Sequence, residues 1–385
     1  MSKLEELIQE LCPDGVVLKP LFKLVTINTP SIKILSKNIL ITGDYPVINQ
    51  GSDYISGYTN DKTALFPKNE YIIFGDHTEI IKYVDFPFAQ GADGIKILTS
   101  KNINCKYLYY CFVNFYKITG KYTRHWSAAK NTLIPFPPLP VQEEIVRILD
   151  NFTELTAELT AELTARKKQY EYYRDSLLTF GDDVERKPLR EIATIIRGGN
   201  FQKKDFTEKG IPCIHYGQIY TRYGLSATKT ITFIDGDVAK KSKFANTNDI
   251  IMAVTSENIE DVCKCVVWLG EEKVAISGHT AIIKHNQNAK FLAYYFHTAM
   301  FFKDKKKLAH GTKVIEVTPS KLGDIIVPLP SLSEQQRIVD ILDRFDTLCN
   351  DISRGLPAEI ADRQKQYEYY REKLLTFNIE GETIL

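Results

Sequence analysis

The residues best suited to metal chemistry lie between Asp261 and Lys273. Asp261, followed by Glu271-Glu272-Lys273, imitates the Asp…Glu-x-Lys set of a metal-dependent nuclease, in which carboxylates would hold a catalytic cation. Such a match is weak without its structural context, and Trp268-Leu269-Gly270-Glu271-Glu272-Lys273-Val274 reads more naturally as a charged hairpin turn between strands. Cys263-Lys264-Cys265 is the only close cysteine pair, and one intervening residue is too few for a zinc knuckle. Arg197-Gly198-Gly199-Asn200 is not a dinucleotide fingerprint, and neither a Gly-x-x-x-x-Gly-Lys-Ser/Thr phosphate loop nor an Asn/Asp-Pro-Pro-Tyr/Phe methyltransferase tetrapeptide occurs. The expectation is a chain without catalytic residues, metal ligands or a cofactor of its own.

Binding chemistry is better represented. Asn49, Gln50, Tyr54, Tyr58 and Asn60 lie in amide-rich loops, and amides bond adenine edges bidentately. Lys121, Arg124, His125 and Trp126 mix cations with aromatics, apt for phosphate or groove contact. A second set comprises Asn200, Gln202, Lys203, His215, Tyr216, Gln218, Tyr220, Arg222 and Tyr223, with Lys303, Lys305, Lys306 and Lys307 as a cationic run. Any one of these residues also suits an ordinary solvated loop. As clusters they point to DNA.

The elements that position the two sets are written twice. Ile134-Pro135-Phe136-Pro137-Pro138-Leu139 and the following Gln142-to-Phe152 stretch return at a constant offset of 193 residues as Val327-Pro328-Leu329-Pro330-Ser331-Leu332 and Gln335 to Phe345. Gln169-Tyr170-Glu171-Tyr172-Tyr173-Arg174 returns as Gln366-Tyr367-Glu368-Tyr369-Tyr370-Arg371 at an offset of 197. A repeat this long decides the parsing of the chain. Ile145, Leu149, Phe152, Leu155, Leu159, Leu163, Tyr170 and Tyr173 recur at helical spacing, as do Ile338, Leu342, Phe345, Leu348, Ile352, Tyr367 and Tyr370. Two such stripes in one chain most simply bury each other as a coiled coil. The prolines set the helix starts. Thr156-Ala157-Glu158-Leu159-Thr160-Ala161-Glu162-Leu163 is a helical spacer rather than a flexible linker. Arg354-Gly355-Leu356-Pro357 predicts either two helices or a kinked one in the second copy.

Between the repeats lie two dissimilar segments, each entered through a Lys-Pro-Leu tripeptide at Lys19 and Lys187. Both read as mixed α+β, with strands around Tyr45–Ile48, Tyr71–Phe74, Ile95–Leu98, Ile211–Ile214, Ile250–Val254, Val262–Leu269 and Ala281–Lys284. Helices are expected over Leu4–Leu11, Lys106–Phe115 and Phe291 to about Phe302. The predicted organisation is an N-terminal helix (1–15), a first module (16–134), a helical spacer (135–186), a second module (187–326) and a second spacer (327–385).

Charge follows this division. Residues 16–134 hold 14 Lys+Arg against 8 Asp+Glu and residues 187–326 hold 21 against 14, whereas 135–186 hold 6 against 11. Basic modules joined by acidic helices suit phosphate binding by the former and protein contact by the latter. At 385 residues the chain exceeds one comfortable core. It contains no apolar run long enough to span a membrane, Met1-Ser2-Lys3-Leu4-Glu5-Glu6 lacks a signal peptide's apolar stretch, and its seven cysteines suit a reducing cytoplasm.

The proline lead-ins, the Thr-Ala-Glu-Leu repeats and the doubled Gln-Tyr-Glu-Tyr-Tyr-Arg around two dissimilar segments resemble the specificity subunit of a type I restriction–modification system, over essentially the whole chain. The resemblance implies two target-recognition domains separated by antiparallel conserved helices in a pseudo-two-fold, ring-like arrangement, each domain reading half of a split double-stranded DNA site. It implies two modification subunits that bind S-adenosylmethionine and methylate adenine, and motor–nuclease subunits that use ATP and Mg, with none of these cofactors on this chain. The alternatives are the nuclease through Asp261, Glu271 and Lys273, and a free-standing bipartite DNA-binding regulator.

Overall fold

The computed structural model describes residues 2–30, 32–91, 94–351 and 353–379. The chain divides into two compact units, Met1–Glu158 with Ala361–Leu385, and Leu159–Ile360.

In the first unit, helix Lys3–Leu11 begins at Ser2, whose hydroxyl accepts from the Glu5 N–H while its own N–H donates to the Glu5 carboxylate, a capping box. Strand Leu18–Pro20 pairs antiparallel with Leu133–Pro135, which brings the start and end of the module together. Proline is tolerated there because this ribbon has only two strands, both of them edges. Between them lie two sheets. One orders Val25–Asn28, Ile95–Ser100, Tyr71–Gly75 and Ile81–Val84, all antiparallel; the other orders Gly57–Thr59, Tyr45–Ile48, Phe88–Gln90 and Leu65–Phe66. Successive residues of a strand face opposite sides of the sheet. Ile72, Phe74 and Leu98 accordingly join the core built on helix Cys105–Phe115, while Tyr71, Ile73 and Ile97 join Ile48 and Phe88 of the second sheet.

The second unit repeats this plan. Strand Arg186–Pro188 pairs with Ile326–Pro328. One sheet orders Ala193–Arg197, Thr280–His285, Ile250–Ala253 and Cys265–Trp268, with Ser226–Ala227 added at the edge. The other orders Phe206–Thr207, Thr232–Ile234, Ile211–Ile214, Val274–Ile276 and Lys243–Ala245. Ile250, Met252 and Ile283 face the helical core, and Ile251, Ala253 and Ile282 the second sheet.

Two expectations need correction here. Cys265–Trp268 and Val274–Ile276 belong to different sheets, so Glu271-Glu272-Lys273 is a crossing between sheets and not a hairpin turn. The helix expected from Phe291 to Phe302 is two helices, Ala289–Tyr295 and Ala299–Leu308. Thr298 restarts the second, its hydroxyl accepting from the Phe301 N–H at 3.2 Å.

Helix Leu139–Leu177 contributes Leu139–Glu158 to the first unit and the rest to the second. The second spacer is two helices, Leu332–Asn350 and Leu356–Leu375. A Cβ on Gly355 would lie 2.3 Å from the Thr347 carbonyl oxygen, so only glycine lets the chain turn this close to the preceding helix end. The apolar stripes face the modules as much as each other. Ile145 and Leu149 are buried with Tyr107, Leu108 and Phe112 in the first unit, and Ile338 and Leu342 with Phe291 and Leu292 in the second. The module helix presents the nearest large apolar surface, and burying a leucine there is worth about 1.5–3 kcal/mol. Helix-to-helix contact is aromatic: Phe152 stacks on Tyr370 at 5.3 Å in the first unit, and Tyr173 on Phe345 at 5.4 Å in the second, with Tyr170 beside it. Tyr367 packs at the margin of the first core, Leu159 and Leu163 are half-buried, and Leu155 is 44% exposed. Ile352 lies outside the described residues.

Each module is bracketed to its spacer by the same polar groups. Asp150 accepts from Lys106 Nζ at 2.8 Å and the Tyr110 hydroxyl at 2.6 Å; Asp343 accepts from Lys290 Nζ and the Tyr294 hydroxyl, both at 2.7 Å. Buried Gln142 accepts from the Asn104 N–H and donates to the Pro137 carbonyl, and buried Gln335 does the same with Asn288 and Pro330.

Candidate nucleic-acid interface

In the first unit the amide loops are shaped by their own side chains. Asn49 Oδ1 accepts from the Gly51 N–H at 2.7 Å, Asn60 Oδ1 from the Asp44 N–H at 3.0 Å, and Gln50 Oε1 from the His77 N–H at 3.3 Å. The Asn49 bond is the usual local work of an amide in a turn, whereas those of Asn60 and Gln50 tie segments 16 and 27 positions apart. Tyr54 donates its hydroxyl to the Tyr83 carbonyl, and Tyr58 sits half-buried in strand Gly57–Thr59. Lys82, which the sequence reading passed over, is 5% exposed and donates to the carbonyls of Asn49 and Asp53 at 3.0 and 2.6 Å, holding this loop from below. Burial pushes its pKa down. A lysine alternating in phase with Val84 on an inward-facing strand was the available signal.

Loop Lys117–Arg124 is exposed throughout, but its backbone is anchored. Glu79, 2% exposed and at φ 59°, accepts from the Tyr116 hydroxyl, the Thr119 N–H and hydroxyl, and the Gly120 N–H at 2.7–3.1 Å. Burial alone would raise its pKa, yet these donors outweigh it and hold it at about 2. Asp76 accepts from the N–H groups of His125 and Trp126. His125 is itself buried, its Nε2 2.7 Å from the Lys121 carbonyl and its Nδ1 3.3 Å from Glu79. Trp126 packs on Phe74. These two residues therefore support the loop and do not reach outward. The side chains of Lys121 and Arg124 are exposed, with no hydrogen-bond or ion-pair partner among the described residues. Arg124 joins Asn28, Asp76, His77 and Lys96 around a cleft of about 390 Å³.

The second unit sorts its candidates in the same way. His215 is 6% exposed and caps helix Tyr216–Thr221 through Nδ1, while Gln218 Oε1 accepts from the His215 N–H. Burial pushes the His215 imidazole down to about 4, with Lys203 and His279 adding to the effect. Tyr216 packs against both histidines. The Tyr220 hydroxyl donates to the Thr255 carbonyl at 2.6 Å, and the Tyr223 hydroxyl accepts from the Ile231 N–H at 3.1 Å. Gln202 caps the short turn Lys203–Asp205.

Lys305 corrects the reading of the cationic run. It is 5% exposed and donates to the carbonyls of Glu260 and Val262 at 2.9 and 2.6 Å, because its position on helix Ala299–Leu308 turns it onto the Glu257–Lys264 connection. Lys307 pairs with Asp304. Asn200, Lys203, Arg222, Lys303 and Lys306 are exposed with no side-chain partner among the described residues.

The nuclease set does not assemble. Asp261 is bound by Asn258 and Lys264 and precedes strand Cys265–Trp268, whereas Glu271 follows it; Lys273 lies over the Phe244 ring at 4.8 Å. Among the described residues, no group of three or more His, Cys, Asp or Glu could hold a metal ion.

Exposed cationic side chains thus remain on both modules, on a scaffold repeated within one chain. The sequence pattern of the type I restriction modification DNA specificity domain matches residues 14–166 and again 181–362. The chain is 36% identical to the specificity subunit of the type I restriction enzyme EcoR124I/EcoR124II of Escherichia coli, over 98% of this chain and 97% of that protein. It is 29% identical to a putative type I restriction enzyme specificity subunit of Haemophilus influenzae, over 94% and 95%. Its fold is similar to that of the S subunit of a type I restriction–modification system from M. genitalium (TM-score 0.56, 15% identity, 94% and 96% covered). It is likewise similar to a chain from a structural study of complex assembly and conformational transition of the type I R-M system (TM-score 0.58, 17% identity, 95% and 98% covered). The chain belongs to the type I restriction–modification DNA specificity family, as a specificity subunit whose part is DNA recognition and not catalysis.

Proposed function

We propose that each module reads one half of a bipartite double-stranded DNA site, and that the spacer helices set the unread gap and dock the modification subunits. The observation that carries this reading is the repeated module: two units share the order of four strands in each sheet, the ribbon, the Asp bracket and the buried-glutamine contacts, around segments of dissimilar sequence. One scaffold with different loops is what two readers of different sequences require. Lys121 and Arg124 in one module, and Asn200, Lys203, Arg222, Lys303 and Lys306 in the other, are the proposed contacts. Tyr172 and Tyr369 occupy equivalent places in the repeated hexapeptide. They are 69% and 60% exposed, each edge-on to a neighbouring tyrosine, as aromatic anchors at a protein interface would be. In this reading S-adenosylmethionine resides on the modification subunits, and ATP and Mg on the motor–nuclease subunits, in the bacterial cytoplasm. No described helix is long and apolar enough to cross a membrane.

Exchanging residues 187–326 for the corresponding module of another specificity subunit tests it. Methylation mapping should show one half-site changed and the other retained; alteration of both halves would refute separable reading.

A further inference from the structure

Both units contain a buried charge held chiefly by backbone and hydroxyl groups, with His125 also beside Glu79. Glu79 sits in the turn between strands Tyr71–Gly75 and Ile81–Val84, and Lys305 reaches the turn between Ile250–Ala253 and Cys265–Trp268. These are the corresponding turns of the two modules. In each, one buried ionic side chain fastens the turn: to the segment after helix Cys105–Phe115 in the first module, and to helix Ala299–Leu308 itself in the second. The sign is reversed: a carboxylate accepting in the first module, an ammonium donating in the second. A bond to an ion is stronger than a neutral one. Placing it in the interior shields it from solvent and salt.

In the first module the fastened segment is the exposed loop that carries Arg124. Four donors from Tyr116, Thr119 and Gly120 converge on one carboxylate, and His125 closes the loop's far end against the same group. The anchored backbone leaves its side chains outside. Tyr122 is 83% exposed and stacks on His77 at 5.3 Å. His77 Nδ1 is buried without a hydrogen-bond partner, on the cleft that Arg124 also lines. A loop whose backbone is tied at both ends while the Lys121 and Arg124 side chains have no partner among the described residues is organised for a ligand rather than for its own stability. Holding it in one conformation removes an ordering cost that binding would otherwise bear.

We propose that Glu79 is a positioning residue for sequence recognition by the first module: it locks Thr119–His125 so that Arg124 and the Tyr122–His77 pair stand at the cleft in the geometry that reads base edges. This rests on the bipartite reading above and adds to it the loop that discriminates and the group that sets it.

The test uses the full chain assembled with its modification subunits, on duplexes carrying single base-pair changes through both half-sites as found by methylation mapping. A good bidentate base contact corresponds to about 5- to 150-fold discrimination. Glu79→Gln should lower discrimination by that order at one or more positions of the first half-site, match Arg124→Ala there, and leave the second half-site unchanged. The double variant should lose no more than either single one. Thr119→Ala, which removes only a hydroxyl donor, should give a smaller loss at the same positions and covers the case in which Glu79→Gln does not fold. Full discrimination in both Glu79→Gln and Thr119→Ala, equal losses in both half-sites, or additive losses in the double variant would each overturn the proposal. A wild-type complex that reads no bipartite duplex would instead overturn the underlying function.

Discussion

The aspartate bracket offers a comparison that the chain performs on itself. Asp150→Ala removes the acceptor of the buried Tyr110 hydroxyl and the partner of Lys106. A hydrogen bond to a charged group contributes about 1.5–3 kcal/mol, and an ion pair whose side chains are about a third exposed adds about 0.2–1 kcal/mol. The loss is therefore about 2–4 kcal/mol. Asp150→Asn keeps a neutral acceptor for Tyr110 and should lose about half as much. For a unit of this size, each kcal/mol moves the midpoint by about 2–4 °C. Asp343→Ala should match, since its two bonds are both 2.7 Å and Tyr294 is fully buried. The informative assay is residue-resolved hydrogen exchange, which measures local as well as global opening. Asp150→Ala should lower protection in helix Cys105–Phe115 and spare Ala289–Tyr295, and Asp343→Ala should do the reverse. If either variant weakened both helices equally, or neither, the bracket would not be the bond holding each module to its spacer.

Three further outcomes are expected. Lys303→Ala and Lys306→Ala should each weaken binding across DNA sequences and reduce the salt slope by about one, whereas Lys305→Ala should lower stability; an unchanged slope in the first two removes them from the interface. On acidification the His215 contribution is present above about 6.5 and is lost as pH falls toward about 4, because the folded state disfavours its protonation. The Glu79 contribution persists to about 4.5 and is lost only toward about 2, so the second module should loosen first on an exchange-monitored acid titration; simultaneous loosening would contradict the assignment. Inserting one Thr-Ala-Glu-Leu after Leu163 adds about 6 Å and a net turn of about 40° to helix Leu139–Leu177. Methylation mapping should then return both half-sites with the gap longer by about one to two base pairs at about 3.4 Å each; an unchanged gap with retained activity means that the helix does not set it.

What the sequence determined by itself is whatever depends on pattern along the chain. The repeat, the spacer helices, the mixed modules and the family resemblance were legible because helix and strand periods, prolines and repeated words are local. Gly355 marked the break between Leu332–Asn350 and Leu356–Leu375 for the same reason. The contact residues were only partly legible, because a side chain's role depends on which way it faces after folding. His125, His215, Tyr220 and Lys305 have the composition of a DNA contact and are spent inside the protein, on a loop carbonyl, a helix cap and strand or turn carbonyls. Glu79, Lys82 and Asp150 look like ordinary surface charges in the sequence and are structural nodes, because each meets partners 29 to 44 positions away. Burial raises the cost of leaving a charge unpaired, so only the tertiary structure could decide which charges were committed inward and which, like Arg124 and Arg222, were left exposed.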